Sequence, residues 1–275
     1  LILVSLGDPL QMLPRFDGWA WYAFYLGNVH ISLYGWQPLA VMILWSLAIE
    51  EQFYVMWPLL VQVCSERRVL LWSGAFMLVA PLTRALMSQE YPATYVFTLC
   101  RVDALAAGAI VAVLFASEKR WVEIAPWLNR LAPLAGIPIV TTLLAPFSPS
   151  FQETRPWFFT VFGYSCLAVS FAILLAVCLE RRGLLGTLLT SPPLRFLGKR
   201  CYGLYVWHVV VAARVTAGLR PWQAGFHIHV LIWFAALLVV ASASWVLLEQ
   251  PILRLKDYLP YAQPRTGRTE VRLVA

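Results

Sequence analysis

Charge is what this chain has least of. Asp, Glu, Lys and Arg make up 13% of its 275 residues, against roughly a quarter in a soluble domain. Cysteine is too sparse and too scattered for a framework. Cys64, Cys100, Cys166, Cys178 and Cys201 form no Cys-x-x-Cys pair, and an odd count without metal spacing argues against both a disulfide scaffold and a zinc site. They read as small core residues, and no metal is expected. No repeat with a period of roughly 20–50 residues is visible. The first residue is Leu1 and not Met, in an apolar stretch with no signal-peptide pattern. The chain is therefore read as a fragment whose upstream part is missing.

In place of charge stands apolar surface: 60% of the residues are hydrophobic, which points to a polytopic membrane protein. Thirteen Trp and eleven Tyr suit two interfacial aromatic belts. The formal net charge of +7 raises the question of nucleic acid, but the basic residues sit in short loops between apolar runs. They read as topology signals, so no nucleic-acid partner is expected; the expected partner is the lipid bilayer.

Apolar runs fall at about 39–63, 68–88, 94–115, 131–147, 157–179, 201–218 and 226–248. An open sheet cannot cross a bilayer, so all seven are expected to be helical. The expected fold is all-α: a polytopic transmembrane helix bundle of about seven complete spans, preceded by an N-terminal helix fragment. Run 94–115 carries Arg101 and Asp103, and run 131–147 carries Pro133, Pro138 and Pro146, which makes them the least regular. Residues 14–38 read as an aromatic loop with a short interfacial element. Alternate connections hold fifteen of the 21 basic residues. That bias places a basic tail, residues 256–275, in the cytoplasm of a multi-pass inner-membrane protein.

The costliest stretch is Trp45-Ser46-Leu47-Ala48-Ile49-Glu50-Glu51-Gln52-Phe53-Tyr54. A carboxylate inside a span costs about 2.5 kcal/mol or more on insertion scales and so has a partner or a task. On a helix Ser46, Glu50 and Tyr54 form one polar stripe, with Glu51 about 100° round. Taken alone, the pair fits a proton relay in a transporter, a counter-ion for a buried Arg, or an acid/base pair. Arg101 and Asp103 lie about 200° apart on a helix, so each needs another partner. Arg101 suits Glu50, Glu51 or anionic oxygens, and Asp103 could orient a histidine. His208 shares a semi-polar helical face with Tyr205 and reads either as a packing histidine or as a pocket group.

Several ordered stretches carry a resemblance. The segment Trp45 to Leu60 (WSLAIEEQFYVMWPLL) resembles the signature of the acyltransferase 3 family of multi-pass membrane O-acyltransferases. Tyr25-Leu26-Gly27-Asn28 is similar to the family's lead-in. Arg101-Val102-Asp103 through Gly108 is similar to its Arg-x-Asp…Gly helix. Leu194 to Gly198, then Tyr202-Gly203-Leu204-Tyr205 through His208, resembles its late Tyr-x-Leu-Tyr-x-x-His segment, with Cys201 where the family has Ser. Glu249-Gln250-Pro251 resembles its closing Glu-x-Pro.

The resemblance implies one acyltransferase domain over residues 1–255, incomplete at its start. It implies transfer of an acyl group, often acetyl, from acyl-CoA (acetyl-CoA) to a hydroxyl of a sugar, glycolipid or cell-surface polysaccharide. Glu50, Glu51, His208 and Asp103 are the expected catalytic residues. Trp45, Ser46, Tyr54, Arg101 and Tyr205 are the expected contacts to substrate or acyl donor. Arg181-Arg182 and Lys199-Arg200 could attract coenzyme A phosphates. The family's principal histidine base is expected upstream, so the fragment is expected to be inactive alone; Asp17-Gly18 and His30 only mimic that motif's spacing. The alternative is a secondary transporter using Glu50, Glu51 and Arg101, which inverted repeats would favour; none is found.

Overall fold

The computed structural model describes residues 18–36, 39–87, 90–144, 157–180, 183–219 and 225–258. The expected N-terminal helix fragment, the basic tail beyond Tyr258, and Asp17, Arg181, Arg182 and Arg220 lie outside these residues. Among the described residues every regular element is helical. The chain is an all-α membrane protein, and its contacts divide it into two compact units, Leu1–Leu197 and Gly198–Ala275.

The first unit opens with two short helices, α1 (Trp19–Ala23) and α2 (Gly27–Tyr34). Between them Tyr25 adopts a left-handed φ of 54°. Gly27 follows because a Cβ there would stand 2.6 Å from the Tyr22 ring. Gly35, at φ 81°, ends α2 with a conformation that glycine adopts without steric cost. After α3 (Leu39–Met42) come α4 (Leu44–Val63) and α5 (Glu66–Leu86). Glu66 sits in the first turn of α5, where a negative charge suits the helix dipole, and pairs with Arg120.

The run expected at 94–115 is not one helix. Short α6 (Ala93–Val96) stops where Phe97 turns extended at ψ 137°, a 3₁₀ turn covers Thr98–Cys100, and only then does α7 (Val102–Phe115) begin. The run expected at 131–147 is longer and starts earlier: α8 spans Glu118–Leu144 and passes through Pro126, Pro133 and Pro138. Membrane helices tolerate proline, and here the Thr141 and Thr142 hydroxyls bond back to the Pro138 carbonyl at 3.0 and 2.7 Å, as such side chains do within helices. A π-helical turn at Phe159–Gly163 leads into α9 (Tyr164–Leu179), then α10 (Gly183–Leu189) and α11 (Pro192–Lys199), whose last two residues fall past the unit boundary.

The second unit pairs α12 (Cys201–Leu219) with α13 (Phe226–Ser244). A π-helical turn at Trp245–Glu249 leads on to α14 (Gln250–Arg254).

Each of the seven apolar runs thus contains a helix. Four helical stretches among the described residues are long and apolar enough to cross a membrane: Glu66–Leu86, Glu118–Leu144, Phe159–Leu179 and Phe226–Arg254. The outer surface fits this. Leu71, Leu78 and Leu82 of α5 stand exposed, a stripe suited to lipid but costly in water. The faces that meet are lined by small residues, among them Ser73, Ala80, Ala106, Ala107, Ala168 and Ser170, which let membrane helices approach closely. Of the five cysteines only Cys100 is a core residue; Cys166 and Cys201 are exposed.

Candidate functional site

Two of the most deeply buried polar residues of the first unit meet where two backbone irregularities converge. Arg84, in the last turn of α5, is fully buried at 0% exposure, and Asp103, in the first turn of α7, is buried at 1%. Arg84 Nη2 donates to Asp103 Oδ2 at 2.9 Å and to Ser165 Oγ at 2.6 Å. The Ser165 hydroxyl donates in turn to Asp103 Oδ2 at 2.6 Å, and the Ala104 amide donates to Oδ1 at 3.0 Å. Arg84 Nε donates to the Val161 carbonyl at 2.9 Å, and Nη1 donates to the Cys100 carbonyl. Both carbonyls come from places where the α-helical ladder is interrupted, the π turn before α9 and the 3₁₀ turn before α7. Such interruptions release carbonyls that a guanidinium fork can take up. A buried charge pair persists only when its remaining hydrogen-bonding capacity is also met, and here the surrounding backbone meets it. Asp103 is therefore committed to Arg84 and Ser165, not to a histidine.

Arg101, at the N-cap of α7, sits among aromatics. Its Nε donates to the Tyr95 carbonyl at 2.7 Å. The guanidinium carbon lies 3.9 Å from the Tyr164 ring centroid, 4.3 Å from Tyr95 and 5.5 Å from Trp45. Cation–π contacts hold a guanidinium without neutralising it. Neither Glu50 nor Glu51 pairs with it: the ion pairs among the described residues are Arg84–Asp103 and Arg120–Glu66.

A neutral network ties the lead-in motif to the signature helix. Gln52 Nε2 donates to the Tyr25 carbonyl at 2.7 Å and to Asn28 Oδ1 at 3.0 Å. Asn28 Nδ2 donates to Thr98 Oγ1 at 2.8 Å and to the Val96 carbonyl at 3.3 Å. The Thr98 hydroxyl closes the ring by donating to Gln52 Oε1 at 2.5 Å. Asn28 is fully buried, where a lost hydrogen bond is expensive. The third polar residue of the Glu-Glu-Gln run is thus the one hydrogen-bonded to Asn28 and Thr98.

On the same helix Glu50 and Tyr54 are exposed, while Trp45, Ser46 and Glu51 are half-buried. Glu50 and Tyr54 share a face of α4, as their spacing requires.

In the second unit His208 and Tyr205 lie together. His208 Nδ1 stands 2.5 Å from the Tyr205 carbonyl, and the rings are 5.7 Å apart. An imidazole donating Nδ1–H to a carbonyl presents Nε2 as its acceptor, the form a proton-accepting base needs. The Trp233 indole donates to the His208 carbonyl at 3.2 Å. Gly203 and Glu249, from two separate motifs, also meet: a Cβ on Gly203 would stand 2.9 Å from Glu249 Oε1 and 3.3 Å from the Ala241 carbonyl. Glycine is needed here for close helix approach.

His30 lies in a cage of Trp21, Tyr22 and Tyr34, with ring centroids 5.6, 5.9 and 5.0 Å away. Its Nδ1 and the Tyr22 hydroxyl are buried with no hydrogen-bond partner among the described residues. Burial lowers the His30 pKa from its ordinary value and pushes the Tyr22 phenol up to about 12.

Sequence reasoning missed Ser165, Thr98, Tyr95 and Tyr164 as site components. A lone hydroxyl or ring in an apolar run has no spacing signal. Arg84 was legible only as a charge inside a span, and its partner was not.

A family model for an acyltransferase domain matches residues 3–249. YrhL of Bacillus subtilis is 28% identical over 255 residues, which cover 90% of this chain and 39% of YrhL. The peptidoglycan O-acetyltransferase OatA of Listeria monocytogenes is 25% identical over 256 residues, 90% of this chain and 40% of that protein. The O-acetyltransferase OatA of Staphylococcus aureus is 25% identical over 227 residues, covering 80% and 37%. The chain spans about two fifths of the length of these relatives. No solved structure matches it.

Proposed function

The chain belongs to the acyltransferase 3 family, and from this we propose that it is the membrane part of an O-acyltransferase. The proposed reaction moves an acetyl group from acetyl-CoA to a hydroxyl of a carbohydrate, of which peptidoglycan is the example among the relatives. The observation that carries the reading is the family match along nearly the whole chain, with the motif residues drawn together inside each unit. The transporter alternative gains no support from relatives bearing O-acetyltransferase names.

In the proposed mechanism a base takes the proton of the acceptor hydroxyl, and the oxygen attacks the thioester carbonyl carbon. The carbon–sulfur bond then breaks, leaving an O-acetyl ester and a coenzyme A thiolate that takes up a proton. Glu50 and Glu51 handle protons or position the acceptor from α4. Arg101, held as a charge in aromatic surroundings, binds anionic oxygens of the substrate. His208, hydrogen-bonded through Nδ1 to the Tyr205 carbonyl, and Tyr205 contact the acyl donor or the acceptor. Asp103 acts at one remove, by holding Arg84 and the start of α7. Trp45 stacks near Arg101, and Ser46 and Tyr54 complete the α4 stripe. The positive-inside bias supports an inner-membrane orientation with the C-terminus in the cytoplasm, which puts Arg101 and Tyr164 toward the outer leaflet.

The test is acetyl transfer from labelled acetyl-CoA by the full-length protein, with Glu50→Ala beside the wild type. A loss of turnover of about a hundredfold or more is expected. Equal turnover would remove Glu50 from the mechanism, and no turnover by the wild type would remove the acyl-transfer reading.

A further inference from the structure

Between α7 and α9 runs a groove of about 280 Å³ lined by Arg101, Ala104 and Gly108 on one side and by Tyr164, Ala168, Phe171 and Leu175 on the other. Its size is close to the lower end of small-molecule sites, roughly 300 Å³. Small side chains leave the space: a Cβ on Gly108 would meet nothing within 4 Å. From Tyr164 to Leu175 the groove follows α9 for roughly 16 Å. Arg101 and Tyr164 stand at one end, and every other named wall residue is apolar.

The polar end is positively charged, and among the described residues no carboxylate pairs with Arg101. The neighbouring Arg84 is neutralised by Asp103 at 2.9 Å. Arg101 spends its Nε on the Tyr95 carbonyl, and among the described residues its two Nη nitrogens make no hydrogen bond. Tyr164 and Tyr95 lie against the guanidinium at 3.9 and 4.3 Å, leaving the Nη groups as a two-pronged donor matched to phosphate oxygens. At the far end Phe171 and Leu175 are exposed on the apolar surface of α9, part of a helical stretch long and apolar enough to cross a membrane.

We infer that this groove holds a phosphate-bearing membrane lipid, its phosphate on the Nη groups of Arg101 and its alkyl chain along Ala104, Gly108, Ala168 and Leu175. One cation at the end of an apolar groove that opens to lipid is complementary to one anion at the end of a hydrocarbon chain. A water-soluble ligand would leave the apolar length of the groove unmatched. The inference rests on the acyl-transfer reading in one respect: it makes the acceptor a saccharide carried on such a lipid.

The experiment places a photo-cross-linking phenylalanine analogue at position 175 of the full-length protein, reconstituted in vesicles containing either phosphatidylglycerol or diacylglycerol with identical chains. The adducts are counted by mass spectrometry. Labelling by phosphatidylglycerol should exceed that by diacylglycerol about tenfold, as expected for a charged hydrogen bond. Arg101→Gln should erase the preference while some labelling remains. Gly108→Leu, whose Cβ would meet no protein atom within 4 Å, narrows the groove and should cut labelling by both lipids about tenfold. Equal labelling by the two lipids in the wild type, or unchanged labelling in Gly108→Leu, overturns the proposal. Displacement of phosphatidylglycerol by added coenzyme A also overturns it and reassigns Arg101 to the acyl donor. Acetyl transfer is measured on the same vesicles: labelling without turnover sinks the acyl-transfer reading and keeps the lipid site, whereas turnover without labelling does the reverse.

Discussion

Asp103 gives its carboxylate to Arg84, nineteen residues earlier and 2.9 Å away, and not to Arg101, its near neighbour in sequence. The pairing sorts the two arginines by task. Arg84 is neutralised and fully buried; Arg101 keeps its charge among aromatic rings at the edge of a groove.

Removing one member of that pair should be far worse than removing both. Asp103→Ala strands a buried guanidinium and should cost about 3–5 kcal/mol, as should Arg84→Ala for the stranded carboxylate. The apolar double variant Arg84→Met with Asp103→Leu should recover much of the loss, because neither charge then has to be desolvated. Thermal unfolding of the purified protein in detergent reads all three. A double variant as unstable as the sum of the singles would show that the pair is not the relevant unit.

The Gln52–Asn28–Thr98 ring predicts coupling between motifs far apart in sequence. Asn28→Ala and Gln52→Ala should each destabilise by about 1–3 kcal/mol. Their effects should fall short of additive by about 0.5 kcal/mol or more, since either change breaks the same ring. A double-mutant cycle on unfolding midpoints measures this, and strict additivity would rule the ring out as one cooperative element.

Gly203→Ala should destabilise the second unit by about 1–3 kcal/mol through overpacking. Adding Glu249→Ala should relieve only part of that, because the clash with the Glu249 carboxylate disappears while the backbone of Ala241 stays 3.3 Å away. Protease sensitivity of the 198–258 region, compared among the wild type and the two variants, distinguishes partial relief from none.

His30 should make the first unit sensitive to acid. Its pKa in the folded protein lies below the ordinary value of 6.5 because its surroundings desolvate the ring. The unfolded chain therefore takes up the proton first. Stability is fully present above about pH 6.5 and falls as the pH drops toward the lowered folded value. The Tyr22 phenol, with a pKa pushed up to about 12, stays neutral throughout. His30→Phe should show a smaller drop in melting temperature between about pH 8 and pH 5 than the wild type. An equal drop in both would assign the acid sensitivity to other groups.

Much of this protein was legible residue by residue. Composition and run length marked an all-α membrane protein, because hydrocarbon tolerates only internally satisfied backbone and a helix needs a set number of apolar residues to cross it. The Glu-Glu-Gln signature, the Arg-x-Asp helix and the late Tyr…His segment carried the family. Local periodicity also put Glu50 with Tyr54 on one helical face.

Which partner each polar group takes was decided only by the tertiary structure. The sequence offered Glu50 or Glu51 to Arg101 and a histidine to Asp103. Packing gave Asp103 to Arg84 and Ser165, gave Arg101 to Tyr95 and Tyr164, and bonded Gln52 to Asn28 and Thr98. The break at Phe97 and the π turn before α9 were equally invisible beforehand, and they expose the two carbonyls that Arg84 requires. The physical reason is range. Apolar length and helical period are properties of neighbours along the chain and can be read there. A buried charge is satisfied by whatever acceptors packing brings within about 3 Å, and those come from residues up to 81 positions away.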